Sequence, residues 1–177
     1  MNTQVASTTF TRPGIGQSEN LDAVLKTVAA VKDILGSPSV QAAIAKAHVF
    51  SASSHKIQEV FLTEMLELGF SSEKKGLFSE YQVSGIRPDY FKALSGGGIL
   101  FEVERGKTLA NNMDLLDVWK THICVEARHL FLMVPLERVN GNGGSTKIFK
   151  TVEKRVAAFF SEQLSPLDVD SVTIFGY

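Results

Sequence analysis

The stretch Gly85-Ile86-Arg87-Pro88-Asp89-Tyr90-Phe91, followed after a glycine loop by Ile99-Leu100-Phe101-Glu102-Val103-Glu104-Arg105, decides how this chain is read. Leu100, Phe101 and Val103 mark a strand, and in a strand residues two apart share a face. Glu102 and Glu104 therefore point one way, Phe101 and Val103 the other. Neighbouring carboxylates on an apolar strand repel each other, and near a core their charge is costly unless a cation lies beside them. A divalent cation is the simplest such partner. If Asp89 ends an adjacent strand, it completes a cradle of acids around that cation.

Working outward, Phe78 to Ser84 and Arg87 to Ala93 read as two further short strands. Gly96-Gly97-Gly98 is a tight connection into Ile99 to Val103, so the three strands form an antiparallel meander. Asn111-Asn112 caps a helix from about Met113 to Glu126. His129 to Pro135 is a continuous apolar run of the kind found in a fully buried strand, and a crossover helix makes it parallel to the strand of Glu102. After the Asn140-Gly141-Asn142-Gly143-Gly144 loop come a helix over Lys147 to Glu162 and a closing strand, Ser171 to Phe175.

Upstream, Leu21, Val24, Leu25, Val28, Val31 and Leu35 recur at helical spacing. Gly36-Ser37-Pro38 then separates this helix from an Ala-rich one over Ser39 to Ala47. A third helix, His55 to Leu68, stops at Gly69-Phe70. The expected organisation is a flexible tail over 1–17, a helical hairpin appendage over 18–50 and a core domain over 51–177. The fold class is α/β, a central mixed β-sheet flanked by helices, with the hairpin added at the N-terminal side.

With 177 residues, 44% hydrophobic and 21% charged, the composition is that of an ordinary globular chain. No segment approaches the roughly 20 apolar residues of a membrane helix. Met1 to Gln17 lacks the basic start and apolar run of a secretion signal, so the expected location is cytoplasmic. A net charge of −1 argues against a non-specific nucleic-acid coat, which would be basic. Cys124, the single cysteine, is expected to be a buried small hydrophobe.

The order helix, three strands, helix, strand, helix, strand, with Pro88-Asp89 on the second strand and Glu102-Val103-Glu104 on the third, resembles the restriction-endonuclease-like nuclease superfamily. Its signature is PD followed by (D/E)xK. The resemblance covers roughly residues 55 to 135, extending to 177 if the last helix and strand belong. It implies that Asp89 and Glu102 hold magnesium, for which manganese substitutes. The position of the signature lysine is Glu104 here, a ligand or the base for the attacking water. Lys120, on the next helix, where the family's lysine sometimes migrates, is preferred over Lys107 as the stabiliser of phosphate charge. Family members also carry a glutamate on the helix before the strands. Glu59 matches it by position, while Glu64 falls on the apolar arc of that helix, so both are candidates. Arg87 and Arg105 flank the cluster and could hold phosphates.

The implied activity is metal-dependent hydrolysis of phosphodiester bonds in DNA by an endonuclease of restriction or repair type. It is expected to act as a homodimer, because one metal site cuts one strand. Two other readings stand beside it: a nucleic-acid-binding module that keeps the fold without cleaving, and an interaction protein working through the hairpin. At single residues the plainer roles are a turn-shaping Asp89, a solvated Glu102/Glu104 face paired with Arg87 and Arg105, a packed His122 and a core Trp119.

Overall fold

A computed structural model describes residues 5–15, 19–48, 53–72, 78, 86–105, 108–139, 143–161 and 167–177. The elements run β1 (Ser7–Thr11), α1 (Glu19–Gly36), α2 (Pro38–Ala47), α3 (Ser54–Val60), α4 (Leu62–Glu67), β2 (Ser71–Ser72), β3 (Tyr90–Lys92), β4 (Gly98–Val103), α5 (Met113–Ile123), β5 (Ala127–Val134), β6 (Arg138–Val139), β7 (Ser145–Thr146), α6 (Ile148–Ala157), a 3-10 turn (Ala158–Phe160) and β8 (Ser171–Gly176). Six strands form one mixed sheet in the order β1-β8-β5-β4-β3-β2, and β6 and β7 make a separate small hairpin. This bears out the α/β class with a mixed sheet flanked by helices.

The centre of the sheet follows from strand alternation. β4 and β5 are parallel, with Phe101 beside Phe131 and Glu102 beside Leu132, as a crossover through α5 requires. One face carries Ile99, Phe101, Val103, Phe131, Met133 and Phe175. It is covered by Val24, Val28, Val31 and Leu35 of α1, Val40 and Ile44 of α2, and Ile57, Phe61 and Met65 of α3, the turn after it and α4. The other face carries Leu100, Leu130, Leu132, Val172 and Ile174 under Val118 of α5 and Ile148, Val152 and Val156 of α6. Stacked and edge-on rings of Phe61, Phe70, Phe101, Phe131 and Phe175 fill the first layer.

Local chemistry sets the boundaries. Ser37 caps α2, its Oγ accepting from the Val40 amide at 3.4 Å, and Pro38 takes the first turn, where no amide hydrogen is needed. Gly69 adopts a left-handed φ of 84°, so that the amide of Phe70 reaches back to the Met65 carbonyl at 3.0 Å and ends α4.

Several expectations need correction. Ser7–Thr11, placed in the flexible tail, is an edge strand in antiparallel register with β8, from Ser7 opposite Phe175 to Thr11 opposite Ser171. Its low apolar content fits an edge strand whose residues are only partly covered. The hairpin α1–α2 is no appendage, since its apolar residues lie in the same core cluster as Phe101 and Phe131. The helix expected over His55 to Leu68 breaks at Phe61, which leaves helical geometry with φ −125° and ψ 19° while burying its ring completely. The strand expected from Phe78 to Ser84 lies, apart from Phe78, outside the described residues. Among those described, the third member of the antiparallel group is instead β2, paired with β3 through Ser71 opposite Phe91. Trp119, expected in the core, is 52% exposed, because the inward face of α5 is taken by Asp114, Asp117, Val118 and Thr121.

Candidate active site

Asp89 immediately precedes β3, and the antiparallel pairing of Tyr90 with Phe101 carries it to the end of β4. There its Oδ2 accepts the amide hydrogen of Val103 at 2.7 Å. The acid thus substitutes for a backbone acceptor and pins the strand end that carries the glutamates. Glu102 lies on the α5 face of the sheet and is 4% exposed. Glu104 sits just past β4, half-buried, its amide bonded to the Met133 carbonyl at 2.8 Å and its carbonyl accepting from the Tyr177 hydroxyl at 3.1 Å.

Lys120 reaches from α5 down to this edge. Its Nζ donates to Glu102 Oε1 at 2.7 Å and to Asp117 Oδ1 at 3.1 Å. Behind this pair, Arg155 of α6 lies 3.2 Å from the Asp114 carboxylate through Nε, and its Nη2 donates to Asn112 Oδ1 at 2.7 Å. Asn112 does stand at the start of α5, in a left-handed conformation, but its side chain holds Arg155 rather than capping the helix. Asp117 Oδ2 is buried with no hydrogen-bond partner among the described residues.

Crowding acids in a partly apolar setting has an electrostatic consequence. Burial pushes the Glu102 carboxyl well above the usual range; the Asp117 charge adds to this, and Lys120 opposes it. Burial, helped by Asp117 and Asp89, pushes Glu104 up to about 8. Asp117 is raised by burial against the pull of Lys120, and Asp114 by burial against Arg155. For Lys120 burial alone would favour the neutral amine, but Glu102 and Asp117 outweigh it and keep the ammonium charged. Fully ionised, these carboxylates would outnumber the cations beside them, and the raised pKa values relieve that excess by favouring the protonated forms.

Of the residues picked from the sequence, Asp89, Glu102, Glu104 and Lys120 are brought together. Glu59 is exposed and paired with His55 Nε2 at 3.1 Å, yet it lines one groove with Asp89, together with His55, Gln58, Leu62, Ser72 and Tyr90. Glu64, on α4, is not among the residues lining that groove. Arg87 is exposed two residues before Asp89. Arg105 is only 8% exposed, and its Nε points at His48 Nδ1 at 3.4 Å, which is not the solvent-facing posture expected of a phosphate-holding residue. Lys107 lies outside the described residues. Asp117 and Asp114 were missed, although acids at 114 and 117 share a helical face with Val118 and Thr121, and an acid on an apolar face is itself a signal.

Among the described residues, no group of three or more His, Cys, Asp or Glu side chains converges as a cation-binding set. The donors on hand are all carboxylate oxygens, which suit a hard divalent ion, and the orphaned Asp117 Oδ2 is a buried oxygen still wanting a partner. No protein-family model matches the chain, and no curated protein matches it in sequence. Among the described residues, no helix is long and apolar enough to cross a membrane.

Proposed function

We propose that the chain is a metal-dependent DNA endonuclease of the restriction-endonuclease-like kind. The observation that carries this reading is the placement of Asp89, Glu102 and Glu104 with Lys120 at one end of β4, where Asp89 binds the Val103 amide, Glu102 binds the Lys120 ammonium, and burial together with the neighbouring carboxylates raises Glu102 and Glu104. In this reading Asp89 and Glu102 hold magnesium, with manganese as substitute, and Glu104 is a third ligand or receives the proton of the attacking water. The ion would polarise the phosphoryl oxygen, acidify bound water and stabilise the leaving oxygen. Lys120 offsets charge on the scissile phosphate, Arg87 holds a neighbouring phosphate, and Glu59 contributes from across the groove. Two copies would be needed to cut both strands.

One observation favours a second reading, a module that binds nucleic acid without cutting it. The Lys120 ammonium already sits 2.7 Å from Glu102, so part of the acid charge is answered within the chain. The interaction-protein reading is less supported, since the apolar faces of α1 and α2 are spent on the core.

Supercoiled plasmid incubated with the protein and Mg²⁺ or Mn²⁺ separates these readings. Nicking or linearisation is expected, reduced about 100-fold or more in Asp89→Ala and in Glu102→Ala. Binding without cleavage moves the conclusion to the second reading. Cutting that is undiminished in both variants sinks the site assignment.

A further inference from the structure

Asp117 has no part in the proposed metal chemistry, yet it is the most enclosed acid of the cluster together with Asp114, with 0% exposure. A buried carboxylate costs stability unless its partners repay it, and Asp117 has an oxygen left without one. Its other oxygen meets Lys120 Nζ at 3.1 Å, one helical turn along, while Glu102 meets the same nitrogen at 2.7 Å from the sheet. Lysine is a point charge on a flexible stem, and fixing it costs up to about 2 kcal/mol of rotamer entropy. With Glu102 alone, the ammonium could pivot about one contact. With a second carboxylate on its own helix, it is held from two elements at once.

We propose that Asp117 is a positioning residue. Through Oδ1 it holds the Lys120 ammonium at the end of β4, where a phosphate bound beside Glu102 would meet it. This rests on the nuclease reading, since the phosphate is that of the proposed substrate. The geometry also explains why the lysine can stand on α5 rather than two residues after Glu102: the helix brings its own anchor. A lysine at position 104 would have a short path to the site, whereas one on α5 crosses from helix to sheet and needs direction.

A purely structural ion pair would have the same geometry but behaves differently when altered. Asp117→Asn keeps the shape and an acceptor oxygen but removes the charge that binds the ammonium. The expected result is a folded protein whose kcat for plasmid nicking falls about 10- to 100-fold while KM for DNA stays within about twofold. In a Lys120→Met background the same change should cost nothing further, because its effect passes through Lys120. Asp117→Glu, which restores the charge, should recover part of the rate.

A readout free of catalysis accompanies these assays. An ammonium held by two carboxylates exchanges its protons slowly, so Lys120 should give a resolved ¹H–¹⁵N signal in the wild type and lose it in Asp117→Asn. An unchanged signal in the folded variant overturns the proposal. So does a loss of rate that is equally large with and without Lys120. If the signal is lost as expected but the wild-type protein cuts no DNA, the nuclease reading has failed and the contact is only structural.

Discussion

His129 shows how one residue can tie stability to pH. It is 1% exposed in β5, and it bridges elements: Asn20 Nδ2 donates to its Nε2 at 2.9 Å, and its Nδ1 lies 2.8 Å from Ser171 Oγ. Because Nε2 accepts, the proton sits on Nδ1 and the ring is neutral. Burial lowers its pKa to about 4, with Asp170 pulling up and Arg128 pulling down. The folded state therefore binds fewer protons than the unfolded one between the ordinary value of 6.5 and about 4. Stability contributed by the neutral ring is full above that window and is lost as pH falls through it. Chemical denaturation at pH 7 and pH 4.5 should show the wild type losing about 2–3 kcal/mol more than His129→Gln. Equal losses in the two proteins would mean that the ring is protonated in the fold without penalty.

At the scale of elements, the approach of β3 to β4 depends on Gly98. A methyl group there would lie 2.6 Å from the Lys92 carbonyl oxygen and 2.5 Å from the Phe91 ring. The ring can turn, but the carbonyl belongs to the strand backbone that positions Asp89. Gly98→Ala should thus cost about 2–3 kcal/mol as an overpacked site, lowering Tm by roughly 5–10 °C in calorimetry. A Tm within about 1 °C of the wild type would show that β3 can shift freely. Some elements were legible because their chemistry is local. The unbroken run ending in Leu130-Phe131-Leu132-Met133-Val134 is of the type found in buried strands, and Gly36-Ser37-Pro38 marks the break between two helices. The break at Phe61 was not legible, since it arises where a ring must enter the aromatic layer rather than from a local stop signal. The site divided in the same way. Asp89, Glu102 and Lys120 carry spacing that can be read in one dimension, whereas the Asp117 contact with Lys120, one turn along the same helix, gains its place in the cluster only because Glu102 reaches that ammonium from the sheet.

At the scale of the molecule, β1 was invisible in the sequence because a partly covered edge strand has little apolar signature. Its importance lies in its partners. Thr8 Oγ1 donates to Glu153 at 2.6 Å, Phe10 stacks on Phe160 at 6.0 Å, and Arg12 pairs with Asp170 at 2.6 Å. Removing residues 1–12 would leave β8 as a bare edge with an apolar neighbour. The shortened chain should melt at least about 10 °C lower and form soluble aggregates on size-exclusion chromatography. A monomer with an unchanged Tm would show that β1 is dispensable.

The pairing of Ser7 with Phe175 also makes the order of synthesis matter to folding. Among the described strands β1 is made before the others, and it cannot bond to its partner until β8 has been made. Until β8 arrives, β5 has a neighbour on only one side, and the edge from His129 to Val134 stands open in the nascent chain. That edge is apolar on both faces, so the interval before closure is the moment when a growing chain is most exposed to pairing with another copy of itself.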